Sequence, residues 1–317
     1  MSKRVLITGA SGFIFSNVLM HFLEHTDWNF TCIASWKHKG NPLRITNRPE
    51  YQFNKDRVNI VTHDLSGIVP YIGDFDIILH GASESHVDRS IANPVNFIEN
   101  NVSITLQLLE YARRHEPKVF INFGTDESFG ETNHKEWDVL LPSNAYAASK
   151  ACQEMIAISY YRTFKVPVIL TNSNNVVGIG QDKEKFVPTL IDLISRGEEV
   201  EIHTSDHKPG KRHYNPVQNV SDALLFILSL DNTIDKVRPK RFNLPGGTEL
   251  DNLEMAQLVA KLLKKPLRYR LVDAESVRPG YDKFYPASEG ELSRLGWKPK
   301  YKLEECLEEV VLNAQKL

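Results

Sequence analysis

Thr125-Asp126-Glu127, with Tyr146 and Lys150 some twenty residues further on, are the residues whose types and spacing could do chemistry. A tyrosine and a lysine four positions apart share one face of a helix. A free phenol ionises near ~10, too high for a base at neutral pH, but a neighbouring ammonium brings it down. Two adjacent carboxyl groups can hold their pKa values apart, so that one keeps a proton while its neighbour is ionised. A Tyr/Lys pair beside an acid pair suggests oxidation at one carbon with proton transfer at the next. That points to a dehydration running through a transient oxidation, rather than to a simple dehydrogenase.

The triplet follows the apolar run 118–124, which reads as a buried parallel strand. The acids then stand at a strand's carboxyl end, where open α/β sheets bind their ligands. Consecutive strand residues point to opposite faces. Both acids can therefore serve one substrate only if the strand stops before them and they lie in a turn. Strands are expected at 5–8, 30–34, 58–62, 77–80, 119–123 and 166–170. Helices are expected at 13–24, 95–114, from about 144 to 164, and at 186–195, 253–264 and 303–315, with a loop at 172–182. Strands alternating with helices predict an α/β, Rossmann-type doubly wound parallel sheet. Residues 1–172 form the expected dinucleotide-binding domain with the catalytic residues. Residues 173–317 form a smaller, partly interleaved lobe.

Gly9-Ala10-Ser11-Gly12, then Phe13 and Ile14, join the first strand to the first helix. Glycines there allow a tight turn and close approach of a pyrophosphate to free N–H groups at a helix N-terminus. A third glycine is expected at position 15, where the chain has Phe15, read as a repacked core residue. An acid at the end of the second strand would bind the ribose hydroxyls and mark NAD. The chain has Ala34-Ser35-Trp36-Lys37-His38 instead, and Ser35, Lys37 and His38 could hold a 2′-phosphate, which tilts the reading slightly toward NADP or toward no strong preference between NAD and NADP. Asp64 after the third strand is either an adenine contact or a plain turn residue.

A chain of 317 residues, 41% hydrophobic, can bury one large core or two lobes. A formal net charge of −2 gives no nucleic-acid footprint. Cys32, Cys152 and Cys306 are few, odd in number and far apart, as in a reduced cytosolic protein, and none has zinc-site spacing. No signal peptide and no apolar run long enough to span a membrane is read, so the expected place is the cytoplasm.

These motifs resemble the extended short-chain dehydrogenase/reductases and, within them, the nucleotide-sugar 4,6-dehydratases typified by dTDP-glucose 4,6-dehydratase. The resemblance rests on Gly9–Ile14, on Ser83-Glu-Ser-His-Val-Asp-Arg-Ser-Ile91, on Asn101, on the triplet and on Tyr146/Lys150. Further on it rests on Glu184-Lys185, Arg212, Arg278-Pro-Gly280 with Asp282, and Leu295–Pro299. It implies a bound nicotinamide cofactor touching Gly9, Ser11, Gly12, Phe13, Ile14, Ser35, Lys37, Asp64, Leu65, Gly81, Ala82, Ser83, Asn101, Tyr146 and Lys150. It implies that Ser83, Glu84, Thr125, Asn175, Lys185, Arg212, Arg278 and Tyr281 bind an NDP-hexose. Tyr146 is then the base at the 4-hydroxyl, Glu127 the base at C5 and Asp126 the acid at the C6 hydroxyl. The helices at 95–114 and 144–164 are implied to build a homodimer through a four-helix bundle. A 4-epimerase, a reductase, a 5,6-dehydratase and a non-catalytic cofactor-binding protein are the competing readings. His80 reads as a packed core histidine, and His86, Asp88 and Arg89 as a structural polar network.

Overall fold

A computed structural model describes residues 2–35, 39–132, 134–230, 238–274, 282–284 and 290–315. Short β-branched runs form the strands β1 (Arg4–Thr8), β2 (Asn29–Ala34), β3 (Val58–Thr62), β4 (Ile77–His80), β5 (Val119–Thr125) and β6 (Val168–Ser173). The second half adds β7 (Asn175–Val177), β8 (Glu199–Ser205), β9 (Lys208–Pro209), β10 (Lys211–Pro216), β11 (Lys240–Leu244), β12 (Thr248–Asp251) and β13 (Arg268–Asp273). Among the described residues seven strands make one sheet in the order β11-β6-β5-β4-β1-β2-β3. Every pairing in it is parallel. The direction of winding reverses between β1 and β4, which opens a crevice at their carboxyl ends.

Alternate residues of each strand feed opposite cores. Val5, Ile7, Ile77, Leu79, Val119 and Ile121 pack under α1 (Phe13–His25) and α8 (Val217–Ser229). Leu6, Ile78 and Phe120 face the other way, under α5 (Pro94–His115) and α6 (Ala145–Phe164), with the short helices α2 (Leu43–Thr46), α3 (Pro49–Asn54) and α4 (Val87–Ala92) preceding them in the chain. The central strands are thus buried on both sides, as continuous apolar runs require of parallel strands. Pro94 opens α5 at a position that needs no N–H, and Glu116 closes it with a φ of 44°. Asn144 caps α6 by accepting the N–H of Ala147 at 3.0 Å. Those two caps fix where Tyr146 and Lys150 stand against β5.

The expected strands and helices of the first half all occur, with shifts of one to three residues at their ends. The stretch expected as a loop at 172–182 differs. Asn172 and Ser173 complete β6, and Asn175–Val177 forms β7 by pairing with Tyr214–Pro216 of β10. That pairing is non-local, so its polar sequence carries no strand signal of its own. The thirteen-residue α8 was not expected. It packs on α1, and the strand after it, β11, returns to the main sheet beside β6. A third core, under α7 (Phe186–Arg196), α9 (Asn252–Leu263) and the helix Leu303–Ala314, belongs to the second half. Among the described residues no helix is long and apolar enough to cross a membrane.

Candidate active site

The crevice between β1 and β4 is a cleft of about 360 Å³. Its floor is the turn after β1. Gly9 adopts a φ of +72°, accepts the N–H of Gly12 at 2.8 Å, and lies so near the loop after β4 that a Cβ would stand 2.8 Å from the Ala82 nitrogen. Gly12 is the N-cap of α1 and offers no side-chain cap, and the first turn has no acid. The leading N–H groups of α1 are thus left for an anion. The turn fits a pyrophosphate: its backbone can be approached, and the helix dipole favours negative charge.

Phe15 occupies the place expected for the third glycine. Its ring packs edge-on against Phe123, centroids 5.3 Å apart. It fills the space that a side chain on residue 81 would need: a Cβ there would lie 2.0 Å from the ring. The missing glycine has in effect moved across the helix–sheet interface to Gly81. Phe15 is therefore core, as expected, and still lines the cleft.

The structure brings most of the expected cofactor contacts to this cleft. Ser11, Phe13, Ile14, Ser35, Asp64, Leu65, Gly81, Ala82 and Ser83 line it beside Gly9 and Gly12. Asp64 is also a turn residue, accepting the N–H of Ser66 at 3.1 Å. Asn101 lies elsewhere. It is wholly buried, clasps both backbone groups of Glu84, and donates to Ser149 Oγ at 2.9 Å. It ties α5 to the loop after β4 and to α6. Lys37, Arg278 and Tyr281 lie outside the described residues.

The reacting groups meet at the end of β5. The strand stops at Thr125, and Asp126–Phe129 is a single 3₁₀ turn. The two acids therefore leave the strand's alternation. Thr125, Glu127, Tyr146 and Lys150 line the cleft. Asp126 does not: it is 3% exposed, and its Oδ2 accepts from Asn174 Nδ2 at 2.6 Å. The orientation of Asn174 follows from its other end, where Oδ1 accepts the N–H of Gly246 at 2.7 Å. Burial pushes the Asp126 carboxyl up to about 7, and the nearby Glu127 adds to this against the hydrogen bond from Asn174. Burial also raises the Tyr146 phenol, and a hydrogen bond with Thr125 opposes the rise. Lys150 donates to the Phe123 carbonyl at 2.7 Å, and burial pushes it down to about 8.

Among the expected substrate residues, Ser83, Glu84, Asn175 and Lys185 line the cleft, with Lys185 Nζ donating to the Ser85 carbonyl at 2.7 Å. Arg212 is not among the cleft's lining. Its guanidinium donates to the carbonyls of Lys211, Asp282 and Lys283, and its charge is felt by Asp126. His80 is a core histidine held between Thr8 and Thr105, each at 2.9 Å. His86 and Arg89 join Glu184 in a polar network at the cleft's edge. The sequence reading missed Asn174 as the partner of Asp126. It also missed Arg44, which binds the carbonyls of Ser11 and Gly180 and the carboxylate of Asp182. Both act across long sequence separations and carry no local signal.

The model of the family described as GDP-mannose 4,6 dehydratase matches residues 6–310. The chain belongs to the NDP-sugar 4,6-dehydratase family of extended short-chain dehydrogenase/reductases. The dTDP-D-glucose 4,6-dehydratase of Mus musculus is 30% identical to it, over 98% of this chain and 88% of that protein. Among solved structures, the dTDP-glucose 4,6-dehydratase of Streptomyces venezuelae with NAD and TYD bound superposes with a TM-score of 0.85. It is 26% identical, over 99% of this chain and 97% of that one. A UDP-glucuronic acid 4-epimerase of Bacillus cereus superposes with a TM-score of 0.87 at 20% identity, covering 99% of each chain. That last likeness shows the fold alone. Since dehydratases and epimerases share one scaffold, a member of the 4,6-dehydratase family must be read from its site residues.

Proposed function

We propose that the protein is an NDP-hexose 4,6-dehydratase, converting a nucleotide-diphospho-glucose-type sugar to its 4-keto-6-deoxy form. The observation that carries the reading is the stop of β5 at Thr125. It sets Glu127 in the cleft with Tyr146 and Lys150, while Asp126 stays buried with its carboxyl raised to about 7. An elimination needs one carboxyl as acid and one as base, and these two adjacent groups differ in burial.

The glycine turn, Ser35, Asp64, Leu65 and Gly81–Ser83 would hold a nicotinamide dinucleotide, with Tyr146 and Lys150 near its reactive end. When bound, it supplies a hydride acceptor for C4 and later a hydride donor for C6. NAD is favoured. Lys39, in the basic loop where a 2′-phosphate would be met, is already paired with Glu184 at 2.9 Å.

Tyr146 takes the proton of the 4-hydroxyl, with Thr125 hydrogen-bonded to the 4-oxygen. The phenol, raised by burial, needs positive charge nearby to act as a base, and Lys150 carries one. A ketone at C4 acidifies the C5 proton, which Glu127 removes. Hydroxide is a poor leaving group, and Asp126 protonates it. Asn174 donates to Asp126 Oδ2 and the Thr125 hydroxyl donates to Oδ1 at 3.3 Å, so Thr125, which lines the cleft, links the buried acid to the sugar. Lys185 and Asn175, which line the cleft, would meet the diphosphate, and an epimerase would have no use for the buried acid.

Residues 1–172 carry the dinucleotide and the chemistry in this reading, and most of 173–317 shapes the sugar-nucleotide site. A homodimer through α5 and α6 is supported by Leu106 and Met155, 38% and 48% exposed on those helices. Incubation with dTDP-glucose, UDP-glucose and GDP-mannose separately, with product mass as readout, tests the proposal. Loss of one water from one of them, with no added cofactor, is expected. No loss from any, by protein that still carries its dinucleotide, refutes it.

A further inference from the structure

Glu154 is fully buried, and no step of the reaction above uses it. It lies one helical turn beyond Lys150 on α6, so Tyr146, Lys150 and Glu154 run down one face at intervals of four. Its Oε2 pairs with Arg241 of β11, the two side chains being 0% and 1% exposed. Its Oε1 accepts from Asn172 Nδ2 at 2.5 Å, and the same amide donates to the Thr125 carbonyl at 3.2 Å. That oxygen lies 2.7 Å from where a Cβ on Gly124 would stand, so only glycine admits it there. The Lys150 ammonium sits on the carbonyl of the preceding residue, Phe123. Carboxylate and ammonium are thus held at adjoining residues of β5. Among the described residues no carboxylate lies within the 4 Å of an ion pair with Lys150.

Arg241 reaches the other end of the acid turn. Its guanidinium donates to the Glu136 carbonyl at 2.7 Å and lies over the rings of Phe129 and Trp137, at 5.6 and 4.7 Å from their centroids. Phe129 closes the 3₁₀ turn that carries Asp126 and Glu127. A buried ion pair is weak evidence for added stability, because desolvation offsets its attraction. One joined to the strand end, the acid turn and the catalytic lysine has a use besides stability.

We propose that the Glu154–Arg241 pair positions the reacting groups: Glu154 keeps the ammonium of Lys150 charged without contacting it, and the pair braces the Thr125–Glu127 turn from both ends. The proposal rests on Tyr146 and Lys150 acting as described above. Lys150 is held down by burial at about 8, and Glu154 is the charge that opposes this; burial raises the Glu154 carboxyl in turn, and Arg241, the Asn172 hydrogen bond and Lys150 work to keep it ionised. The other titratable groups nearby do not replace it. His80, at the end of β4, is lowered by burial to about 3 and stays neutral. Asp126 and Glu127, from β5, act on Tyr146, and Arg241 binds the far oxygen of Glu154.

The test is the titration of Lys150 in the dinucleotide-loaded protein, followed by NMR of ¹³Cε-labelled lysine. The resonance is assigned by its loss in Lys150→Met. Glu154→Gln should lower the midpoint by roughly one unit or more, the lower end of what a close opposite charge does. Dehydration at pH 7 should fall with it and recover as pH drops below the new midpoint, where Lys150 regains its charge. Glu154→Gln leaves Arg241 unpaired and can unfold. The double variant Glu154→Leu with Arg241→Met keeps a neutral core and should move the midpoint the same way. A folded double variant with the wild-type midpoint overturns the proposal, since a purely structural pair changes melting but not this titration. A shifted midpoint in a protein whose wild type dehydrates nothing supports the charge-holding role and refutes the dehydratase reading alone.

Discussion

Asp126→Asn separates the chemistry of the buried acid from its cost to the fold. Burial raises this carboxyl from 3.8 to about 7. The folded protein therefore holds the proton longer than the unfolded chain does. The penalty is absent below the unfolded value, grows as pH rises toward 7, and is constant above it. A gap of about three pH units is worth ~4 kcal/mol at full ionisation, at 1.36 kcal/mol per unit. The part that accrues between pH 5 and pH 8 is roughly 2–3 kcal/mol. Asparagine cannot ionise, and its amide oxygen can still accept from Asn174 Nδ2 in place of Oδ2. The variant should melt above the wild type at pH 8, and the difference should widen by roughly 5 °C from pH 5 to pH 8. Its dehydration rate should drop by about 10²-fold or more for want of the acid. Thermal melts of the loaded proteins at pH 5, 6.5 and 8, with rates measured alongside, decide the matter. A melting difference that does not change with pH, or a variant less stable at pH 8, would refute the burial argument.

Glu127→Gln should still allow oxidation at C4 but block elimination, so that nicotinamide absorbance of the reduced form builds up on mixing with substrate; product at the wild-type rate would show that Glu127 is not the base. Gly81→Leu should drive a side chain into the Phe15 ring, lowering the melting temperature and the retained dinucleotide at an overpacking cost of about 1–3 kcal/mol. Adding Phe15→Gly should restore both, and a Gly81→Leu protein as stable as wild type would count against the exchange. Light scattering at micromolar protein should give twice the chain mass, and a clean monomer would contradict assembly through α5 and α6.

Much of this was legible in the sequence because parallel strands buried on both faces read as apolar runs, as in β1, β4, β5 and the first half of β6, while the half-exposed edge strand β3 showed itself by its β-branched residues. The catalytic set was legible because its spacing is local: three residues between Tyr146 and Lys150, none between the acids. Asn174 was not, since it meets Asp126 only through the pairing of Thr125 with Ser173 between β5 and β6. Arg241 lies 87 residues from Glu154 and reaches it because β11 rejoins the main sheet. Phe15 looked like a broken motif until the bare backbone of Gly81 stood opposite it. Glu154 could have been found, since it continues the interval of four from Tyr146 and Lys150.

The central claim is a hydride that leaves C4 and returns to C6 of the same sugar while one water is lost. A nucleotide sugar deuterated at C4 tests it most directly, with product analysed by mass and by NMR at C6. The account predicts a product lighter by one water with the deuterium retained at C6. A product of unchanged mass inverted at C4, or one whose deuterium has gone to solvent, would contradict it.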